Sequence, residues 1–343
     1  MPALRINRGA LLALSKPFFL ALGLFTLTAC GSDAGQKSTL AIATGGPAGL
    51  YYPFGGGMAS LWSKHISAVN VKAEVTGGSL INVIQVARGE SEFGLAMADV
   101  VTDAYLGQGR FKQPLALRVL VNAYPNVVHI LTLADSEISS VEDLKGRRVA
   151  IGAAGSGTAV AAENVLQGLG VPLSDLVPTN LSFGETTAAL KDGTIDAGFV
   201  VGGLGIAAVT ELAVTRDLVL VALTDDQTQQ LQKAFPAYAP FIIPPLTYPG
   251  IAEPVLGLGI WSAVVVHAQM PEALAFELVC TLFKYSDALL KVSPVARAMT
   301  VENLLRLPQV PLHPGTRKYR ELIELGADPD SLSCTYREAS AHA

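Results

Sequence analysis

Apolar and polar positions along the chain follow two periods in turn. Short apolar runs such as residues 39–43 end in glycine, which is typical of a buried strand that leads into a turn. Between such runs, apolar residues recur every three or four positions, which predicts helices. From residue 39 to residue 100 the predicted order is strand, helix, strand, helix, strand. This order predicts an α/β fold with a largely parallel sheet.

Two long extended apolar runs divide the pattern, at residues 118–134 (interrupted by Pro125) and 255–268. A second α/β series lies between them. We therefore predict two α/β lobes joined by a two-stranded hinge, with hinge points near Tyr124 and Leu258. Lobe 1 comprises residues 39–124 and a mostly helical return segment, 258–343, and lobe 2 comprises residues 125–257. The proline-rich segment 235–254 is predicted to lack regular structure.

The N-terminus predicts export. Basic residues precede an apolar run at 17–29 that is shorter than a membrane span. The run ends in Leu27-Thr28-Ala29-Cys30, which resembles a bacterial lipobox. We predict a signal peptide over residues 1–29, lipidation of Cys30, a flexible tether over residues 30–38, and a periplasmic protein with a lipid anchor in a bacterial membrane. An ordinary secretory signal or an uncleaved anchor is the alternative, and the sequence does not say which membrane holds the anchor.

The other two cysteines are Cys280, in an apolar helical run, and Cys334, in the tail. An exported location permits a disulfide between them. A buried thiol and an unrelated tail thiol fit the sequence equally well, because only geometry distinguishes the two cases.

Composition narrows the class of protein. Hydrophobic residues make up 50% of the chain and charged residues 15%, which excludes intrinsic disorder. The net charge of −5 gives no electrostatic reason to expect nucleic-acid binding. None of the five histidines has zinc-ligand spacing with Cys, Asp or Glu, so we expect no metal and no cofactor.

Three glycine-rich turns carry the candidate chemistry, at residues 44–59 (TGGPAGLYYPFGGGMA), 76–79 (TGGS) and 152–158 (GAAGSGT). Each follows a predicted strand and precedes a helix, whose first N–H groups favour an anion. Because ligands of open α/β sheets bind at the carboxyl ends of strands, we expect the turns to face one cleft. Ser79 and Thr158 are predicted at or near helix N-caps, where a purely structural capping role is the alternative.

Catalytic motifs are absent from these turns. GAAGSGT matches neither GxSxG nor the nucleotide-binding GxxxxGK[ST], and Ser156 has no recognisable base partner. Asp99 and Asp103 follow a strand, either as a cleft-lining pair or as a helix cap and a solvated carboxylate. We expect a binding protein and not an enzyme, with an α/β hydrolase as the less favoured alternative.

Several of these segments together resemble the TAXI class of solute-binding proteins, which serve tripartite ATP-independent periplasmic (TRAP) transporters. The matching segments include TGGPAGLYYPFGGGMASLW, VTGGSLINVIQVARGESEFGLAMADV, VNAYPNVVHIL, VEDLKGRRVAIGAAGSGTAVAAENVLQGLG and YPGIAEPVLGLGIWSAVVV. The resemblance implies a type II periplasmic-binding-protein fold. It also implies a monomeric hinge-closing receptor for a small carboxylate, glutamate-like or dicarboxylate, that delivers it to a TRAP-type permease. A sensory module with the same fold is an alternative.

The resemblance, with the turn analysis, gives a set of candidate ligand-binding residues. This chain differs from the TAXI class at Met97, Ala98 and Ile81, where the class often has polar or acidic residues. It also has Asn126 where an acidic residue is common. The candidates are Gly46, Gly49, Tyr51, Tyr52, Gly78, Ser79, Asn82, Asp99, Gly155, Ser156, Gly157, Thr158, Val201, Gly202 and Gly203.

Overall fold

The computed structural model of the chain describes residues 37–335. The predicted signal peptide, Cys30 and residues 30–36 of the predicted tether therefore lie outside the described residues. Within residues 37–335, no helix is both long enough and apolar enough to cross a membrane.

Ten strands form within the described residues. They are β1 (Ser38–Ala43), β2 (Val69–Glu74), β3 (Phe93–Met97), β4 (Leu117–Leu133), β5 (Arg148–Ala150), β6 (Val177–Thr179), β7 (Ala197–Gly202), β8 (Leu218–Leu220), β9 (Tyr238–Ile243) and β10 (Val255–His267).

Ten α-helices and five 3₁₀ turns connect the strands of this part of the chain. The helices are α1 (Tyr51–His65), α2 (Ser79–Arg88), α3 (Ala98–Leu106), α4 (Gly157–Gly168), α5 (Phe183–Lys191), α6 (Ala207–Thr215), α7 (Asp225–Ala234), α8 (Glu272–Lys284), α9 (Ser286–Leu290) and α10 (Pro314–Glu324). The 3₁₀ turns are Ala134–Ser136, Glu142–Leu144, Leu173–Asp175, Pro294–Ala298 and Glu302–Leu305.

The strands form one sheet in the order β2-β1-β3-β10-β4-β7-β5-β6, with β8 paired to β4 and β9 paired to β10. Strands β1, β2 and β3 pair in parallel, as do β5, β6 and β7. All pairs that involve β4 or β10 are antiparallel. The predicted α/β fold is confirmed: two parallel groups, each with its helices, lie on either side of two long antiparallel strands.

The long strands β4 and β10 change partners along their length. They pair with each other between Leu117 and Val127 of β4. Beyond that point β4 pairs with β7, from Val127 to Leu131, and with β8, while the start of β10 pairs with β9. Each long strand thus serves both parallel groups, as a two-stranded hinge requires. The lobe boundaries themselves remain a prediction.

Buried apolar side chains form two clusters. The larger one surrounds β1, β3 and the paired parts of β4 and β10, and includes Phe54, Trp62 and Val264. The smaller one lies around β7 and α6, and includes Val200 and Leu212.

The prediction for the proline-rich segment was wrong in part, because residues 238–243 of it form β9, paired antiparallel with β10. Pro240 lies opposite Leu258 in this pair. Among the described strands, β9 pairs with β10, so its other side is an edge of the sheet. The missing N–H of Pro240 can face this edge, where proline is tolerated. Strand β4 likewise continues through Pro125.

Helix α1 begins at Tyr51, so Pro53 lies in its first turn. Proline is compatible with the first turn of a helix, where its missing N–H would have no intrahelical partner. Farther along, Cys280 of α8 and Cys334 form a disulfide with their Cα atoms 5.3 Å apart. This pair, which the sequence left open, ties the segment after α10 to the protein core.

Candidate functional site

The three glycine-rich turns meet around a cavity of about 200 Å³. The starts of helices α1, α2, α4 and α5 surround it. The residues that line it are Gly45, Gly46, Pro47, Ala48, Gly49, Leu50, Tyr51, Thr76, Gly77, Gly78, Ser79, Met97, Tyr124, Asn126, Ala153, Ser156, Gly157, Thr158, Ser182, Phe183, Gly184, Val201 and Gly202.

The second and third turns touch each other beside the cavity. A Cβ atom on Gly157 would lie 2.6 Å from Ser79 Oγ and would also collide with the end of Met97. The backbone N–H of Ile81 donates to the carbonyl of Gly155 at 3.4 Å. Glycine at 157 therefore permits the close approach of the starts of α2 and α4.

Serine hydroxyls mark both of these helix starts. Ser156 is the N-cap of α4, and its Oγ accepts a hydrogen bond from Ala159 N at 3.0 Å. Ser79 is the first residue of α2, and its Oγ accepts from Met97 N at 3.1 Å. An oxygen that accepts from the backbone keeps its own hydrogen for donation. The cap of α4 is thus Ser156, and Thr158 lies two residues into the helix start.

A buried hydrogen-bond network lies at one side of the cavity. The hydroxyl of Tyr51 lies 2.8 Å from Ser262 Oγ, and Asn126 Nδ2 donates to Ser262 Oγ and, at 3.4 Å, to the Tyr51 hydroxyl. Burial raises the pKa of Tyr51 to about 12, so its phenol stays neutral. The network fixes the first turn to β4 and β10, the two hinge strands.

Apolar side chains form much of the remaining wall. Leu50 and Tyr124 pack closely against Gly203, and Phe183 packs against Gly49. Met97 and Val201 complete this wall.

The structure brings together ten of the fifteen predicted ligand-binding residues on the cavity wall. They are Gly46, Gly49, Tyr51, Gly78, Ser79, Ser156, Gly157, Thr158, Val201 and Gly202. The other five are Tyr52, Asn82, Asp99, Gly155 and Gly203. Tyr52 is an exposed residue of α1, and Gly155 and Gly203 lie next to lining residues without lining the cavity.

Asn82 was predicted to point at the cleft, and the structure contradicts this. Its Nδ2 donates to the carbonyls of Thr44 and Leu95 at 2.6 Å each, and its Oδ1 accepts from Thr76 Oγ1 at 2.5 Å. With these bonds the amide links the ends of β1 and β3 to the second turn. Asn82 therefore stabilises the turn beside the cavity but does not line the cavity.

Asp99 also lies away from the cavity wall, buried at the start of α3. Its Oδ2 accepts from the Tyr238 hydroxyl at 2.9 Å, and its Oδ1 accepts from Val100 N at 2.8 Å. Burial raises the pKa of Asp99 to about 6, although both hydrogen bonds act to lower it. Burial also raises the pKa of Asp103, one turn later.

Sequence reasoning missed several lining residues, notably Leu50, Ser182 and Phe183, and treated Tyr124 only as a hinge residue. One signal was present for Ser182: Ser182-Phe183-Gly184-Glu185 matches the capping box that starts a helix after a strand. Leu50 and Phe183 carry no motif, and only their packing in three dimensions brings them to the wall.

Among the described residues, no side chain of the cavity wall belongs to His, Asp, Glu, Lys or Arg. Ser156 therefore has no general base beside it on the wall. Across the described residues, no group of three His, Cys, Asp or Glu side chains is arranged to hold a metal ion.

The sequence pattern of the NMT1-like family matches residues 42–322. Among solved structures, a putative L-cystine ABC transporter from Listeria monocytogenes aligns with a TM-score of 0.50 and 12% identity, over 77% of this chain and 98% of that chain. The periplasmic aliphatic sulphonate binding protein of Escherichia coli aligns with a TM-score of 0.47 and 17% identity, over 83% and 79%. The likeness concerns the fold, which is the predicted type II periplasmic-binding-protein fold.

Proposed function

Because the chain belongs to the NMT1-like family, we propose that it is an extracytoplasmic solute receptor that binds a small carboxylate in the cavity described above. The bound solute is then delivered to a membrane transporter. The observation that carries this proposal is the meeting of three glycine-rich turns and several helix starts around one cavity.

The chemistry of the wall supports an acceptor-rich ligand. The first N–H groups of a helix have no intrahelical partner, and the helix dipole favours negative charge there. Gly157 and Thr158 provide such groups at the start of α4, beside the free hydroxyl hydrogen of Ser156. A carboxylate is an acceptor only, so it matches these donors. Binding without an arginine clamp suits a ligand that must be released again.

The same arrangement supports closure of the two predicted lobes around the ligand. The first and second turns precede helices packed on the β1–β3 group, and the third precedes α4, which packs on β7. A ligand held between Ser79 and Ser156 would therefore stabilise the state in which the groups are close. The hinge would lie where β4 and β10 change partners, near Val127 and Gly259.

The proposal also includes the class of the transporter and the membrane anchor of the receptor. The TAXI-like motifs favour a TRAP-type permease, whereas the Listeria neighbour is described as part of an ABC transporter. The lipobox-like sequence favours a periplasmic receptor lipidated on Cys30. We propose a TRAP partner, because the resemblance involves the turn sequences that line the cavity.

Uptake in cells tests this proposal. Deletion of the gene should abolish uptake of one radiolabelled carboxylate, and the gene in trans should restore it. With a TRAP partner, uptake should persist when ATP is depleted and stop when ion gradients are collapsed. The reverse pattern would assign an ABC partner, and unchanged uptake of every carboxylate in the deletion strain would contradict a transport role.

A further inference from the structure

The cavity that the proposed function uses is lined by uncharged side chains in the part of the chain that the structure describes. Within residues 37–335, its wall contains no Lys, Arg, His, Asp or Glu, and its two titratable side chains are tyrosines. Burial raises the pKa of Tyr51 to about 12 and that of Tyr124 well above the usual range. Both phenols therefore stay neutral at physiological pH.

One pole of the cavity can hold a single anionic group. The starts of α2 and α4 meet there, with Ser79 and Ser156 at their ends and the backbone of Ile81 bonded to that of Gly155. Ser156 keeps its hydroxyl hydrogen for a ligand, because its oxygen accepts from Ala159 N.

The other two helix starts are less suited to a second anion. At α5, the carboxylate of Glu185 already accepts from Ser182 N at 2.8 Å and from Ser182 Oγ at 2.7 Å. At α1, the N-cap is Leu50, which has no polar side chain, and Pro53 has no N–H to offer. A second carboxylate would thus lie near the charge of Glu185 or near Leu50, where the described wall offers a hydroxyl, that of Tyr124, but no cation.

Part of the cavity wall is apolar. Its apolar lining residues include Leu50, Phe183, Val201, Pro47 and Ala48. An ammonium group would have no carboxylate partner on this wall, and burial of an unpaired charge costs several kcal/mol. A hydrocarbon chain, in contrast, gains from the same surface.

From this polarity we infer that the ligand is a small monocarboxylate with an apolar body, and that dicarboxylates and glutamate are excluded. The inference rests on the proposed function and narrows it, since the family resemblance alone favours glutamate-like or dicarboxylate ligands. The volume of about 200 Å³ lies below the range of about 300–1,000 Å³ for pockets of drug-sized molecules, which favours a short chain.

Calorimetric titration of the purified full-length protein tests the inference with pairs of equal carbon number. The pairs are butanoate and succinate, pentanoate and glutarate, and hexanoate and adipate, with glutamate added. We expect one monocarboxylate to bind at least about 100-fold more tightly than its dicarboxylate partner and than glutamate, because each extra charge is buried unpaired.

Two other outcomes have different meanings. If glutarate, succinate, adipate or glutamate binds as tightly as the best monocarboxylate, the inference is overturned while the carboxylate receptor stands. If no carboxylate binds to folded protein, the proposed function itself is overturned, and the inference with it.

A charge-adding variant makes a second test. Leu50→Arg places a cation on the apolar wall and should improve glutarate binding at least about tenfold. Leu325→Arg is the matched control, because Leu325 lies far along the chain at the end of α10 and is 85% exposed. If folded Leu50→Arg binds glutarate no better than the control does, a missing cation is not what excludes dicarboxylates, and the inference fails.

Discussion

The hydroxyl of Tyr238 on β9 donates to the carboxylate of Asp99 on α3 at 2.9 Å, although the two residues are 139 positions apart. Asn164 of α4 donates to the same hydroxyl at 2.8 Å. This buried chain of three side chains joins the helix after β3 to the helix after the third turn. These hydrogen bonds help to align the two groups of parallel strands beside the cavity, although none of the three residues lines the cavity wall.

Asp99→Asn should remove a pH-dependent loss of stability. The pKa of Asp99 is 3.8 when exposed and about 6 when folded, so the folded protein holds this proton more tightly. The free energy of unfolding therefore falls as pH rises from about 4 to about 6, and the deficit persists above that. We expect the variant to exceed the wild type by up to roughly 3 kcal/mol at pH 8 and by little at pH 4, in urea unfolding.

The control for this variant is Asp217→Asn at an exposed position, which should leave the pH dependence of the wild type unchanged. An Asp99→Asn protein with the same pH profile as the wild type would show that burial of this carboxylate does not set its pKa.

The double substitution Ser156→Ala/Thr158→Ala tests the donors at the start of α4. Two lost hydrogen bonds of about 1 kcal/mol each should weaken ligand binding roughly 10- to 100-fold. Loss of the Ser156 cap should also cost about 1 kcal/mol of stability. Thr224→Ala removes a comparable cap from α7, away from the cavity, and should lower stability without changing affinity. Equal affinity in the double variant and the Thr224 control would show that the hydroxyls of Ser156 and Thr158 do not bind the ligand.

Gly157→Ala tests the close approach of the second and third turns. The added Cβ would collide with Ser79, so the two helix starts must separate. We expect at least a tenfold loss of affinity and a stability loss of about 1–3 kcal/mol. Gly56→Ala in α1 is the matched control: its Cβ would meet nothing within 4 Å, and the variant should be slightly more stable with full affinity. Wild-type affinity in folded Gly157→Ala would show that this approach is not needed for binding.

Cys334→Ser tests the contribution of the disulfide. The bond closes a loop with a sequence separation of 54, for which chain entropy predicts a stabilisation of about 4 kcal/mol. Thermal unfolding should show a lower midpoint for the variant. A reducing agent should lower the midpoint of the wild type to the same value and leave the variant unchanged. Equal midpoints for variant and oxidised wild type would mean that the bond does not stabilise the fold.

The strand and helix order of the chain could be predicted because it is encoded locally. Period-two and period-3.6 patterns and glycines after strands place β1 within one residue of its observed bounds and give the order of the first five elements, β1 to β3, correctly. The segment with β9 was missed because its prolines argue against a strand unless its place at an edge is known, and that place depends on pairing with β10.

The site was predictable mainly where it consists of turns, and also at Val201 and Gly202 at the end of β7, which the family resemblance supplied. The glycine and serine positions 78, 79, 156 and 157 follow from strand–turn–helix chemistry and line the cavity. Asn82 was placed wrongly because a helical position one turn in can face a ligand or the protein, and its partners Thr44 and Leu95 are distant in sequence. Phe183 escaped prediction for the same reason, since nothing local marks an aromatic ring as a cavity wall.

The most direct test of the central claim is thermal unfolding of the purified protein in the presence of small carboxylates, with sugars and neutral amides as negative controls. A ligand at about a hundredfold over its dissociation constant should stabilise the fold by roughly 2.7 kcal/mol. We predict such a rise for a carboxylate in the wild type and a rise of at most about 1.4 kcal/mol in Gly157→Ala at the same concentration, because its affinity is at least tenfold lower. No rise with any carboxylate, in folded protein free of bound solute, would contradict the assignment of this cavity as a carboxylate site.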